Sequence, residues 1–214
     1  MKLYGYFRSS AAYRVRIALN VKGLAYEQVP VHLMRGGGEQ KSIAYKTRNP
    51  QGLVPFLEVG EHGFAQSLAI IEYLDESYPT PPLLPGDAAQ RAAIRAFALH
   101  IACDIHPLNN LRVLQYLTGT AGLSEDAKLA WYQHWIADGL HALETDVVNR
   151  QPQGPYCFGE QVTLADVCLV PQIFNAQRFN CDLTPYPRLV AIAQQCNQLS
   201  AFSDAAPSKQ PDAE

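Results

Sequence analysis

The sequence has no run of basic residues, no C-x-x-C pair, no apolar stretch of membrane-spanning length and no G-x-S-x-G turn. Each absence removes a class of function. With 17 basic against 20 acidic residues and a net charge of -3, nothing electrostatic favours nucleic acid or an anionic membrane surface. Five cysteines, Cys103, Cys157, Cys168, Cys181 and Cys196, are odd in number and widely spaced. They read as free thiols in a reducing compartment, mostly small core residues, rather than as a disulfide framework. The N-terminus enters a strand pattern at once, without a basic segment followed by an apolar one, so a cytoplasmic protein outside the membrane is expected. At 214 residues and 48% hydrophobic content the chain can bury a substantial core, as one large domain or two modest ones.

What is present falls into two textures. Up to about residue 79, strand-like and helix-like segments alternate: Lys2 to Phe7, Tyr13 to Val21, Tyr26 to Leu33, Val54 to Val59 and Leu68 to Tyr78. This is an α/β pattern. Gly36 to Gly38 lack the strand-to-helix context of a phosphate-cradling loop and read as a mobile surface loop. Prolines 79, 81, 82 and 85 with Gly86 then break any regular element, which places a linker at 80–87. From 88 to 214 the pattern is helical. Ile94, Phe97, Ala98, Ile101, Ile105 and Leu108 recur at three- and four-residue steps, as do Leu129, Tyr132, Ile136, Leu140, Leu143 and Val147. Pro107 should kink or split the first of these. Thr163 with Asp166 three residues on has capping-box spacing, which explains Asp166 without a catalytic role. The polar tail from Ser203 to Glu214 is expected to fray or lie over the surface.

Chemistry concentrates where the first strand meets the first helix. Arg8-Ser9-Ser10-Ala11-Ala12 puts two hydroxyls at a helix N-terminus, where first-turn amides lack intrahelical acceptors and the dipole favours an anion, a thiolate included. No base stands nearby, so Ser9 and Ser10 read as donors rather than nucleophiles; an ordinary N-cap accounts for the same serines. Leu53-Val54-Pro55-Phe56-Leu57 holds a proline among strand residues, which is expected to be cis and turning the chain. Gln66-Ser67 opens the next helix, a second anion-binding terminus. A metal site at His100 and Asp104, four apart with His106 near, lacks a third ligand at helical spacing.

Together these segments resemble the thioredoxin-like half of a glutathione transferase followed by its all-α half. More narrowly, Arg8-Ser9-Ser10 with Tyr13 to Leu19, Asn49-Pro50, Gln66 to Leu74, Pro107 to Leu111, Arg178-Phe179 and Asp182 to Pro187 resemble the zeta class, the family of maleylacetoacetate and maleylpyruvate isomerases. The resemblance implies a glutathione-binding domain at 1–79, a linker at 80–87 and a substrate-side domain at 88–214. It implies glutathione as cofactor, with Ser9 on the sulfur helped by Ser10, and the backbone of Val54 before Pro55 pairing with the cysteinyl amide. Gln66 and Ser67 would hold the γ-glutamyl end, with Gln40, His106 and Asn110 as further contributors. Arg8 and Arg178 would face a small dicarboxylic or keto-acid substrate, although a surface ion pair is the plain alternative for each. Arg14 and Arg16 are expected to line the helix or bind structurally, and Tyr13 to pack. Ala11 stands where the class usually has cysteine.

The implied reaction is a cis–trans isomerisation of maleylacetoacetate in aromatic amino acid breakdown, in a homodimer. Thiolate addition makes the double bond single, charge develops on the neighbouring carbonyl oxygen, and expulsion after rotation leaves the trans acid. A thiol of pKa about 8.5 is only a few per cent ionised at neutral pH, and lowering it by about 2 units takes roughly 2.7 kcal/mol, within reach of a serine hydrogen bond and a helix terminus. Alternatives on the same residues are a maleylpyruvate isomerase, a transferase that conjugates or dehalogenates small haloacids, and a non-catalytic binding protein.

Overall fold

The computed structural model describes residues 1–151 and 153–214. They form two compact units, Met1–Leu83 with Asn197–Glu214, and Leu84–Cys196.

The first unit is built on four short strands, β1 (Lys2–Gly5), β2 (Glu27–Pro30), β3 (Phe56–Val59) and β4 (His62–Ala65), in the order β2-β1-β3-β4. β1 pairs parallel with β2 and antiparallel with β3, and β3 pairs antiparallel with β4. The parallel pair requires a crossover, which α1 (Ser10–Val21) provides. Alternation sorts the side chains by face. Tyr4 stands opposite Phe56 and clusters with Val31 and with Tyr45 of the short α2 (Ile43–Lys46). On the other face Leu3 stands opposite Leu57, both fully buried. α3 (Ser67–Ser77) buries Ile70, Ile71 and Leu74 and packs on α1; each such side chain contributes about 1.5–3 kcal/mol. Proline is tolerated in β2 because it ends an edge strand.

Of the two outcomes expected for the tail, fraying or lying over the surface, the structure has the second, and it moves these residues out of the 88–214 helical half. Residues 197–214 pack with the first unit rather than with the helical half, and they do not fray. Phe202 and Ala205 are fully buried, and α9 (Ser200–Ser203) lies against α1. The cause is polar as well as apolar. Arg16, 2% exposed, donates from Nε to Ala205 O at 2.9 Å and from NH2 to Phe7 O at 3.0 Å. Tyr13 packs as expected, with its hydroxyl 3.4 Å from Phe202 O. Burial pushes the Arg16 guanidinium down to about 10, so it stays charged between two carbonyls. Nearby, Lys22 Nζ is wholly enclosed by Asp75 Oδ1, Tyr78 O and Pro81 O at 2.5–2.7 Å, and Asp75 also accepts from the Leu83 N–H. That knot ties the proline-rich segment to the first unit, and the division falls after Leu83, inside the 80–87 stretch.

The second unit is helical: α4 (Ala88–Leu99), α5 (Leu111–Gly119), α6 (Glu125–Arg150), α7 (Leu164–Arg178) and α8 (Pro187–Cys196). The expected apolar stripes are buried, except that Leu129 is 38% exposed and Leu108 half-buried. Pro107 ends regular α-helix as anticipated. α4 widens into a π-helical segment at His100–Ile105 and tightens into a 3-10 turn at His106–Asn109. Gly139 of α6 lets this segment approach, since a Cβ there would sit 2.3 Å from Ile105. Glu144 of α6 caps α8, accepting from the N–H groups of Arg188 and Leu189 at 2.9 and 3.0 Å.

Thr163 and Asp166 form the capping box. The Asp166 carboxylate is fully buried and accepts from Thr163 N, Thr163 Oγ1 and Cys157 N at 2.8–3.0 Å. Burial raises its pKa, opposed by the Cys157 and Thr163 amides. Every acceptor position thus serves the fold. Asp166→Ala strands two buried amides and is expected to cost about 3 kcal/mol, read as a lower urea midpoint.

Candidate active site

In the first unit the turn between β1 and α1 is closed by Ser9 N donating to Tyr6 O at 2.9 Å. Ser9 then N-caps α1, its Oγ accepting from Ala12 N at 3.2 Å. The N-cap reading is thus observed, and it leaves the hydroxyl's own hydrogen available for the donor role expected of Ser9. Ser10, the first residue of α1, is buried. Arg8 is half-buried with its guanidinium 4.6 Å above the Phe7 ring, and among the described residues it makes no ion pair.

The Val54–Pro55 bond is cis. The approach to it is fixed by Tyr45 Oη and Asn49 Nδ2, which both donate to Leu53 O, at 2.7 and 2.8 Å. Val54 is half-buried, and among the described residues its own N–H and C=O make no hydrogen bond. The backbone there has the form of an open strand edge for a short peptide.

α3 begins without a side-chain cap. The other long helices are served by Ser9, Asp87, Asn110, Ser124, the Thr163 box and Glu144. The first-turn amides of α3 therefore await an acceptor. Buried Arg14 adds positive charge there, its NH1 lying 3.4 Å from Ser67 Oγ. Gln66, just before, sits at φ 70°, a left-handed conformation that costs a non-glycine residue about 1 kcal/mol or more; its side chain donates to Gln51 Oε1 at 2.9 Å. Gln40 is buried in a 3-10 turn, with Nε2 3.4 Å from Leu33 O and Oε1 without a partner. Of Gly36–Gly38, expected to be a mobile surface loop, Gly36 and Gly37 are exposed and Gly38 is buried; they follow a turn at which the His32 Nδ1 accepts from the N–H groups of Met34 and Arg35 at 3.1 and 2.7 Å.

These groups fit a peptide thiol: a hydroxyl donor at a helix N-terminus, an open backbone pair before a cis-proline, and an uncapped helix beside a cation for a carboxylate. The first unit brings together Arg8, Ser9 and Ser10 on one turn, and Gln66 and Ser67 at one helix end.

The second unit carries His106, Asn110 and Arg178. His106 opens the 3-10 turn, and Asn110 is the N-cap of α5, accepting from Arg112 N at 3.2 Å. Arg178 ends α7, exposed, 5.0 Å over the Phe179 ring, and among the described residues it has no carboxylate partner. Phe179 in turn stacks on Tyr132 at 3.8 Å. Burial pushes the Tyr132 phenol up, with Arg178 opposing. The surface ion pair weighed for Arg8 and Arg178 is therefore not found for either. The contacts of Arg14 with Ser67 and of Tyr132 with Phe179 were not anticipated from the sequence, because the partners are distant along the chain.

The parallel–antiparallel four-stranded sheet with its cis-proline and an all-helical second unit make up the glutathione transferase fold, the class expected. A model of the glutathione S-transferase N-terminal domain matches residues 3–82. The probable maleylacetoacetate isomerase of Vibrio cholerae is 54% identical, over 99% of this chain and 97% of its own. A solved holo structure of maleylpyruvate isomerase, a bacterial zeta-class glutathione S-transferase, superposes with TM-score 0.97 at 49% identity, covering 100% of both chains. Maleylacetoacetate isomerase from Methylobacterium extorquens, solved with bound malonate and glutathione, follows at TM-score 0.95 and 40% identity, again covering 100% of both. The chain belongs to the zeta class of glutathione S-transferases, the family of the maleylacetoacetate and maleylpyruvate isomerases.

Strain at Gln66 has a measurable consequence. Gln66→Gly removes it and is expected to raise stability by about 1 kcal/mol, seen as a higher urea midpoint, while the loss of the exposed amide contact to Gln51 offsets little.

Proposed function

We propose that the protein is a glutathione-dependent cis–trans isomerase that converts maleylacetoacetate to fumarylacetoacetate in phenylalanine and tyrosine breakdown. The observation that carries this reading is the set of unspent groups in the first unit: the Ser9 hydroxyl hydrogen, the Val54 backbone pair and the uncapped start of α3. Full-length similarity to proteins of that name supports it.

Bound glutathione would supply a thiolate able to add reversibly to the conjugated double bond and so let it rotate. Ser9 donates to the sulfur, Val54 pairs with the cysteinyl backbone, and Ser67 with the α3 amides, Gln66 and Arg14 receive the γ-glutamyl end. Ser10 supports the turn, and Gln40, His106 and Asn110 are assigned to the tripeptide or its surroundings. Arg8 and Arg178, permanently charged and without carboxylate partners, receive the substrate's carboxylates and the oxygen on which charge develops.

Maleylpyruvate is the second reading, favoured by the near-complete superposition on a maleylpyruvate isomerase. Following absorbance of each acid with and without glutathione decides between the two; full-rate conversion without thiol would end both. A homodimer and a cytoplasmic location complete the proposal. All five cysteines are free, and no helix among the described residues is long and apolar enough to cross a membrane. Sedimentation tests the dimer.

Ser9→Ala is expected to lower kcat about 30-fold, or ~2 kcal/mol for a lost hydrogen bond to an anion. Glutathione affinity should change little, because the backbone contacts remain; unchanged turnover would remove Ser9 from the chemistry. Arg178→Ala is expected to raise the KM of the acid roughly tenfold with a smaller effect on kcat, and an unaltered KM would return Arg178 to the surface.

A further inference from the structure

The last residues of the sequence touch the segments just before two of the first unit's candidate site residues, Ser9 and Gln40. Gln210 anchors it, its Nε2 donating to Asp204 O and Ala206 O at 2.8 and 2.7 Å, and its Oε1 accepting from Gln28 Nε2 at 2.5 Å. Two residues on, Asp212 Oδ2 accepts the Phe7 N–H at 3.0 Å. Phe7 is buried, its carbonyl is held by Arg16, and it directly precedes Arg8 and Ser9. Two residues further, Glu214 Oε1 lies 2.9 Å from Arg35 NH2 and 3.3 Å from His32 Nε2.

His32 organises the turn before Gln40. Besides the two amides on its Nδ1, its N–H donates to Glu39 Oε2 at 2.7 Å, and its carbonyl accepts from Glu39 N at 2.9 Å. Two amide donors on Nδ1 leave the ring proton on Nε2, which lies 3.3 Å from Glu214 Oε1 in a geometry short of a hydrogen bond. The turn needs outside support. Gly36, Gly37 and Gly38 run consecutively at φ 60°, 82° and 109°, so this stretch has more conformations to lose than any other residue type would give it.

We propose that Asp212 and Glu214 are positioning residues for the glutathione site: their carboxylates clasp the Phe7 amide and the His32–Arg35 turn, and through them hold Ser9 and Gln40 in the geometry that receives the tripeptide. This rests on the glutathione reading above. Both carboxylates are spent on Phe7, His32 and Arg35, so in this proposal they act through those residues and the effect belongs in affinity rather than in the chemical step.

The test uses the full chain with Glu214→Gln and Asp212→Asn, singly and together. Calorimetric titration with glutathione should show Kd raised about threefold for Glu214→Gln, the scale of a partly exposed ion pair, and more for the double variant. At saturating glutathione kcat should fall far less than affinity. Amide exchange at residues 34–40 should quicken in Glu214→Gln while its urea midpoint stays near that of the wild type, which a purely structural contact would not give. High salt should bring the wild type toward the variant and leave the variant unmoved. Unchanged Kd and unchanged exchange in both single variants would overturn the clasp, as would a loss confined to kcat. A wild-type chain that fails to bind glutathione at all would overturn the reading of the site, and the clasp with it.

Discussion

The first unit depends on a buried guanidinium. Arg16 holds a full positive charge at 2% exposure and places it between the carbonyls of Phe7 and Ala205. Such a charge is tolerable only when its donors are met, so the turn before Ser9 and the returning tail are fixed together, on one helix. What reads as a basic helix surface in the sequence is thus internal wiring. Arg14, two residues earlier on α1, is also buried and brings a second guanidinium to the start of α3, its NH1 3.4 Å from Ser67 Oγ.

Around that frame the candidate site gathers groups whose hydrogen-bonding capacity is unspent or whose backbone is strained. Long helices have their first turns met by side chains, yet α3 does not. Val54, among the described residues, keeps both its N–H and its C=O unspent. Gln66 occupies a left-handed conformation with no glycine to ease it. Each is a small local cost. Their grouping next to Ser9 and Ser67, on elements held by Arg14, Arg16 and Tyr45, is what a peptide thiol would repay on binding.

Much of this was legible in the sequence because it depends on local chemistry. Ser9 at a helix start, the cis-proline among strand residues, the break at Pro107 and the Thr163–Asp166 spacing each have a signature within four or five residues, and the structure contains all of them. What escaped has no apolar or turn signature of its own, or depends on distance along the chain. β4 is four residues, His62–Ala65, with a glycine and little apolar content, and only its partner β3 makes it a strand. The tail's polarity suggested solvent, whereas its amide and carboxylate groups answer Gln28, Phe7 and His32 far upstream. Gly36–Gly38 looked unconstrained because the anchor is an imidazole ring preceding them. At Asn110 the sequence suggested a ligand contact, and the structure adds an N-cap, since an asparagine amide can serve both.

The returning tail also bears on how the chain is made. A ribosome releases the sheet and α1 before the helical unit, and Phe202, Ala205 and the acceptors that complete Arg16's surroundings only after it. The module begun before the helical one is therefore finished after it, and until then its central arginine lacks the Ala205 carbonyl. The helical unit, whose residues are contiguous, has no such wait, and nascent chains would spend part of their synthesis with the second module able to form and the first still incomplete.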